Sequence, residues 1–252
     1  MTESSKVRFE IYSLIFIHHI SLLIGLLYGQ MNFRGLALFF PIYFILSRLG
    51  GDLGFHRLFS HQSYKVTAFY ENLLLILGTL ECKGSSLTWC SHHIRHHQYS
   101  DQEKDPHTPQ KLSFPRVIYG IWPEFSSELG SLRHILKRTH YFFHKYYFGI
   151  NLTFLLAMYW FFRFQAGIFL SGPILYSFYI GGLVNYFGHR PHFSSYRNHD
   201  TNDHSQNSVL LNLISLGGGM HNNHHRFPKS PINSETWYEV DPPGQISKLI
   251  ER

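Results

Sequence analysis

Eight histidines stand in three tight clusters, and any fold of this chain has to bring those clusters together. They read His56-x-x-x-x-His61, His93-x-x-His96-His97 and His221-x-x-His224-His225. Imidazole is the commonest protein ligand for mid-series transition metals. Eight such ligands exceed what one ion can use, so the pattern implies a two-metal centre. That points to redox chemistry more than to structural zinc. The apolar segments between the clusters must therefore start and end on compatible sides of whatever they cross.

Charged residues make up only 15% of the 252 residues and aromatics 17%, against about 25% charged in ordinary soluble proteins. Long apolar runs account for the shortage of polar surface. A membrane helix needs about 20 mostly apolar residues. The runs 9–29 and 33–49 supply two spans joined by a tight reversal, and 147–163 with 168–187 supply two more, breaking at Arg163-Phe-Gln-Ala-Gly167. The run 66–80 is too short and carries Glu71 and Asn72. If the first two histidine clusters share a site, its ends lie on one side of the bilayer, so it is expected to be an interfacial or re-entrant helix.

The expected fold is an all-α integral membrane protein, 1–252 forming one domain without repeat or linker. Four transmembrane helices in two hairpins carry a histidine-rich helical cap made of 50–146 and 188–252. Of the 22 basic residues only Arg34 and Arg163 fall at the expected outer turns. By the positive-inside rule the histidine face and both termini are cytoplasmic. The polar N-terminus lacks a secretory signal, so the first run is read as a retained membrane helix. Cys82 and Cys90 are too few for a disulfide framework and read as reduced thiols.

On a helix, positions three and four apart share a face, so each H-x-x-H-H box is expected to project three imidazoles together. His56 and His61 differ, being about 140° apart at 3.6 residues per turn; they are expected to diverge, as ligands serving two different metals could. Asn185 and His189, four apart at the end of the last span, point at one volume and add a ninth imidazole. His18 and His19, inside the first span, read as packing residues, and His92 lies off the face of its cluster. His134, His140 and His144, among several basic residues, read as a surface segment at the lipid headgroups.

These residues resemble the membrane fatty acyl desaturase family, in particular its bacterial Δ9-type branch related to stearoyl-CoA desaturase. The likeness lies in Gly54-Phe-His-Arg-Leu-Phe-Ser-His61, and in Trp89 followed by the second box with Asp101 and Asp105-Pro-His107-Thr-Pro109. It continues through Asn185-x-x-x-His189, Asp203-x-Ser-x-Asn207, and His221-Asn-Asn-His-His-x-Phe-Pro-x-Ser230. The resemblance implies two iron ions (Fe2+/Fe3+) held by His56, His61, His93, His96, His97, His189, His221, His224 and His225. Asn185 would hold a water near one metal, with O2 as co-substrate. Trp89, His92, Asp101, Asp105 and Asn207 become candidates for supporting the ligands or binding substrate. The chain departs from the family in two places. Gly218 stands where an acidic residue usually precedes the third box, and His92 where stearoyl-CoA enzymes carry an acid.

The expected reaction is insertion of a cis double bond into a saturated acyl chain, consuming O2, two electrons and two protons and releasing two waters. Lipid hydroxylation by the same centre is the alternative. A non-catalytic membrane metal-binding protein is the alternative of another class, disfavoured because no acidic or cysteine path crosses the spans. Expected partners are acyl-CoA, acyl carrier protein or a glycerolipid, and a ferredoxin or cytochrome b5-type electron donor. The lipid bilayer is expected to be that of a bacterial inner membrane. The net charge of +6 is spread along a membrane face and gives no reason to expect nucleic acid.

Overall fold

Apolar helix faces set the architecture. A computed structural model of the chain describes residues 3–29, 33–123 and 129–252. Helix α1 (Glu3–Tyr28) is followed by α2 (33–60), which is α-helical over Phe33–Tyr43 and wound as a π-helix over Phe44–Ser60. Helices α3 (Ala68–Leu80) and α4 (Ser86–Gln98) come next, then the short α5 (Phe114–Ile118) and α6 (Arg138–Lys145). Helices α7 (Tyr147–Phe162) and α8 (Gly167–Phe187) form the second hairpin. Beyond it lie a ribbon of β1 (Ser195–Tyr196) and β2 (Asn207–Ser208), then α9 (Val209–Ser215), α10 (His221–Arg226) and α11 (Pro242–Ile250). The antiparallel ribbon pairs Tyr196 with Asn207 and is a small departure from the all-helical expectation.

Among the described residues, three helical stretches are long and apolar enough to cross a membrane: Ser5–Tyr28, Ala37–Ser60 and Gly167–Phe187. Helix α7, expected to be a fourth span, has 16 residues and falls short of the usual length. It joins α8 through the break expected at residues 163–167, where Arg163 takes a left-handed φ of 54°. Leu14, Leu46, Leu155, Phe169 and Ile174 form the shared core of α1, α2, α7 and α8. Phe9, Phe16, Leu23 and Leu27 face outward from α1, as a lipid-facing surface requires.

The second span was expected to end at Leu49, but its helix continues to Ser60. Two glycines, Gly50 and Gly51, ordinarily weaken a helix at this point. Here they let α3 lie directly against α2: a Cβ on Gly50 would overlap the backbone of Leu77 and Gly78. Close packing therefore holds a helix that local propensity would end. The consequence is functional, because the extension carries His56 to the edge of the cap.

The basic segment around α6 is also not the surface strip expected. His140 is fully buried against Ser86 Oγ at 2.8 Å, and His144 bonds Ser85 Oγ at 2.7 Å. His134 Nε2 donates to the Phe59 carbonyl at 2.5 Å. These imidazoles fasten α6 and the preceding turn to the start of α4 and the end of α2. Within the first span, His18 bonds Ser171 Oγ and His19 bonds the Ile15 carbonyl and Tyr179 hydroxyl. His18 is a buried packing residue, whereas His19 is exposed and has both ring nitrogens satisfied.

Candidate metal centre

Two groups of imidazoles converge at the junction of the spans and the cap. One contains His56, His61, His93, His97 and His224, and the other His96, His189, His221 and His225. Within each group the candidate ligand atoms all lie within 4.8 Å of one another. Together they comprise the nine histidines singled out by the sequence.

Neither H-x-x-H-H box serves one group alone. His93 and His97 enter the first group while His96 enters the second; His221 and His225 enter the second while His224 crosses to the first. In each box the i, i+4 pair stays together and the residue at i+3 leaves. On a helix, the i+3 and i+4 positions differ by about 100° in direction. Two such helices set face to face can therefore exchange one ligand each.

The first box departs from the divergence expected of it. His56 and His61 share a group, with ring centroids 5.0 Å apart. The His61 amide donates to the His56 carbonyl at 3.2 Å, an i to i+5 bond of the π-helical kind. That winding stacks residues five apart, removing the divergence that 3.6 residues per turn would give.

Four carboxylates orient the rings. Nδ1 of His56 lies 2.8 Å from Asp52, that of His189 2.9 Å from Asp101, that of His96 3.0 Å from Asp105, and that of His225 2.6 Å from Asp203. An ionised carboxylate only accepts, so each Nδ1 carries the hydrogen and each Nε2 presents a bare lone pair. Asp101 and Asp105 thus stand where ligand support was expected. Asp52 and Asp203 were not assigned that role, although Asp52 sits one helical turn before His56. The orientation of these four rings does not depend on an acid at Gly218.

The donor set fits metal ions. Nε2 of His96 faces Nε2 of His189 at 3.1 Å and of His225 at 3.3 Å, and all three rings have their hydrogens on Nδ1. Lone pairs in such proximity repel unless a cation lies between them. Two nitrogens each about 2.1 Å from one ion and at right angles are about 3.0 Å apart, close to the separations seen. In the first group His56 and His97 approach His224 at 2.9 Å, and His61 approaches His93 at 2.8 Å. Burial pushes the imidazoles of His93, His97, His221 and His224 well below their usual pKa. They remain neutral at neutral pH, the form that binds metal.

The supporting candidates divide. Trp89 stacks on His93 with centroids 4.9 Å apart and planes 21° from parallel, closing one side of the first group. Asn207 Oδ1 accepts from the Asn222 and Asn223 amides, serving as a cap for the short helix that carries the third box. Asn185 lines the cavity shared with His56, His93, His221 and His224. His92 belongs to neither group; its ring lies edge-on to Trp122 at 5.9 Å, and burial lowers its pKa to about 4. It provides no anionic substitute for the family's acid. His107, unassigned from sequence beyond its motif, forms a further potential ligand group with His96 and Asp105.

Replacing Asp203 with asparagine is expected to weaken metal binding roughly 10–100-fold. A chelator titration of the purified chain measures this, with exposed Asp200→Asn as the comparison; equal affinities would remove the orienting role of Asp203.

The sequence pattern described as fatty acid desaturase matches residues 33–234. The chain is 30% identical over 246 residues to an sn-1 stearoyl-lipid 9-desaturase of Anabaena variabilis, covering 92% of this chain and 86% of that protein. It is 29% identical over 240 residues to an sn-1 stearoyl-lipid 9-desaturase of a Synechocystis strain, covering 88% and 71%. An acyl-CoA C20 Δ5-desaturase of Anemone leveillei is 25% identical over 249 residues, covering 96% and 79%. With the histidine groups and apolar helices in place, these likenesses settle the classification: the chain belongs to the fatty acid desaturase family.

Proposed function

We propose that this chain is an O2-dependent di-iron acyl desaturase, placing a cis double bond in the acyl chain of a membrane lipid. Family membership makes it an oxidoreductase acting on fatty acyl chains. The observation that carries the finer reading is the division of nine imidazoles into groups of five and four beside one cavity. Asn185, one turn before His189, would complete the smaller group through a water. The similarity to lipid 9-desaturases favours a glycerolipid acyl chain and the Δ9 position.

Bound iron would supply O2 activation strong enough to remove hydrogen from unactivated methylenes. The chain's residues supply position and dryness. Asp52, Asp101, Asp105 and Asp203 fix four imidazoles, while Trp89 shields His93. The four-span topology, with α7 as the shortest crossing and α3 at the interface, puts both termini and the centre on the cytoplasmic side. An inner-membrane protein of this layout would receive its electrons from a ferredoxin or cytochrome b5-type donor.

Mass spectrometry of acyl chains from a host expressing the protein tests the reading. New cis-monounsaturated chains, with the bond located by fragmentation, are expected. Hydroxylated lipids would instead indicate the related oxidation. An iron-loaded preparation that leaves lipids unchanged with a competent reductase present would sink the enzymatic reading.

A further inference from the structure

Helix α9 belongs by sequence to the cap, yet it is anchored at the depth of the spans. The Tyr176 hydroxyl of α8 donates to the Ile214 carbonyl at 2.7 Å, and the Tyr43 hydroxyl of α2 to the Ser215 carbonyl at 2.9 Å. The level of Tyr176 follows from how α8 runs against α1. Ser171 Oγ bonds Ser21 Oγ at 2.7 Å and a Cβ on Gly25 would touch Gly167, so the two helices are antiparallel. Equal rise per residue then sets Tyr176, five residues beyond Ser171, level with Phe16, five before Ser21. Phe16 lies well inside the apolar stretch Ser5–Tyr28 and faces outward. The end of α9 is thus held within the bilayer, not above it.

The backbone of α9 is finished as a dehydrated helix end must be. The Leu211 carbonyl accepts from Ser215 Oγ at 2.5 Å, that of Asn212 from the Gly217 amide at 3.0 Å, and that of Leu213 from the Leu216 amide at 3.3 Å. With the two tyrosines, every carbonyl from 211 to 215 meets a donor of the protein. A helix end in water leaves such groups to solvent, whereas in lipid they must be met internally. The outward side chains agree. Val209, Leu210 and Leu213 are exposed, the last at 69%, and no charged residue occurs from 205 to 220. The Ser194–Ser208 hydroxyl bond brings Phe193 beside α9, and Asn212 donates to the Val240 carbonyl at 2.7 Å. Phe193 is 93% exposed, and Trp237, three residues before Val240, is 92% exposed. On the other side the exposed Phe40 lies edge-on to Tyr176 at 6.3 Å. The lipid-facing surface of α2 therefore continues onto α9.

The geometry points to α9 as a membrane-inserted element of the cap. Its face of Val209, Leu210 and Leu213 packs against lipid acyl chains in the leaflet nearest the metal centre, with Trp237 at the headgroups, where that residue type gathers. An exposed apolar patch of this kind marks a contact surface, and its continuity with α2 makes lipid the occupant. The inference rests on the apolar helices crossing a bilayer and not on catalysis. It has a consequence for the acyl-lipid reading. Ser215, Gly217, Gly218 and Met220, at the end of α9 and in the loop that follows, line the cavity beside the metal centre. Acyl chains of the leaflet are then one loop away from that cavity, as an intact lipid substrate requires.

Fluorescence quenching in vesicles tests the placement without requiring turnover. Cys82 and Cys90 are buried, so a cysteine introduced by Leu213→Cys takes a bimane label selectively; Val209→Cys serves if that variant does not fold. The full chain is reconstituted in phosphatidylcholine–phosphatidylglycerol vesicles. One set carries a nitroxide near the top of the lipid acyl chains, and another receives iodide in the buffer. Leu23→Cys, on the outward face of α1, and Glu103→Cys, whose side chain is 91% exposed in the cap, set the two extremes. A face seated about 5–10 Å into the boundary of headgroups and acyl chains should lose roughly twofold or more of its fluorescence to the nitroxide lipid. It should be protected from iodide, as Leu23→Cys is. Iodide quenching at 213 equal to that at 103 would overturn the proposal. Protection from both quenchers would overturn it too, because protein, such as a second copy of the chain, would then cover the face. Lipid quenching absent even at Leu23 would remove the membrane premise and the proposal with it. Host lipids that gain no double bonds while 213 is quenched by lipid would sink the desaturase reading and leave the inserted face standing.

Discussion

His221→Ala and His224→Ala are expected to empty different metal positions, although the residues are only one helical turn apart. His224 belongs with His56, His61, His93 and His97, whereas His221 belongs with His96, His189 and His225. Conversely, His97→Ala and His224→Ala should affect the same position from distant parts of the chain. Each single variant should fall from about two bound metals per chain to about one, because a structural partner alone can be worth 10–100-fold in affinity and a direct ligand more. Activity should fall by more than roughly 100-fold on the same scale. Metal analysis gives the stoichiometry, and the spectrum of the retained ion shows which position survives. Identical residual spectra for His221→Ala and His224→Ala would reject the exchanged arrangement.

The histidines that converge were legible in the sequence; their distribution between the two groups was not. Spacing alone puts His93, His96 and His97 on one broad face, but where that face divides depends on the opposing helix. Nothing within the box shows that His224 takes the place beside His93 and His97. The π-helical winding before His61 is equally hidden, since Gly50 and Gly51 read locally as a helix end. Their role appears only where α3 packs on them. Asp52 had a readable signal, being one turn before His56 on a helix extended far enough to include both. Asp203 reaches His225 through a loop that no periodicity describes.

Of the four spans read from the apolar runs, three are long and apolar enough to cross a membrane among the described residues, and the second hairpin reverses where it was expected to. They misplaced the end of α2 because hydropathy falls before the helix does. The basic segment at α6 was misread for a related reason. Arg and Lys neighbours suggested a solvated surface, but His140 and His144 turn inward to hydroxyls on Ser86 and Ser85. A histidine's neighbours in sequence say little about which of its faces is buried.

Arg57→Gln is expected to destabilise the chain by about 3–5 kcal/mol, the usual cost of breaking a buried ion pair from one side. Arg57 is only 1% exposed and lies between two carboxylates. Its Nη2 contacts Asp52 at 3.0 Å and Asp241 at 2.8 Å, and its Nη1 donates to the Pro231 carbonyl at 2.6 Å. Asp241 also caps α11 through the Gly244 amide and accepts from the Asn233 amide. Glutamine keeps much of the shape but removes the charge, leaving two buried carboxylates without full compensation. The damage should reach the metal centre, since Asp52 also holds His56. Denaturant unfolding of the metal-free chain separates the stability loss from any lost metal binding. The conservative Arg57→Lys retains the charge but cannot span the same contacts in a planar fork, so an intermediate loss is expected. If Arg57→Gln matches the parent chain in stability, the buried network is not what fastens the C-terminal segment to α2.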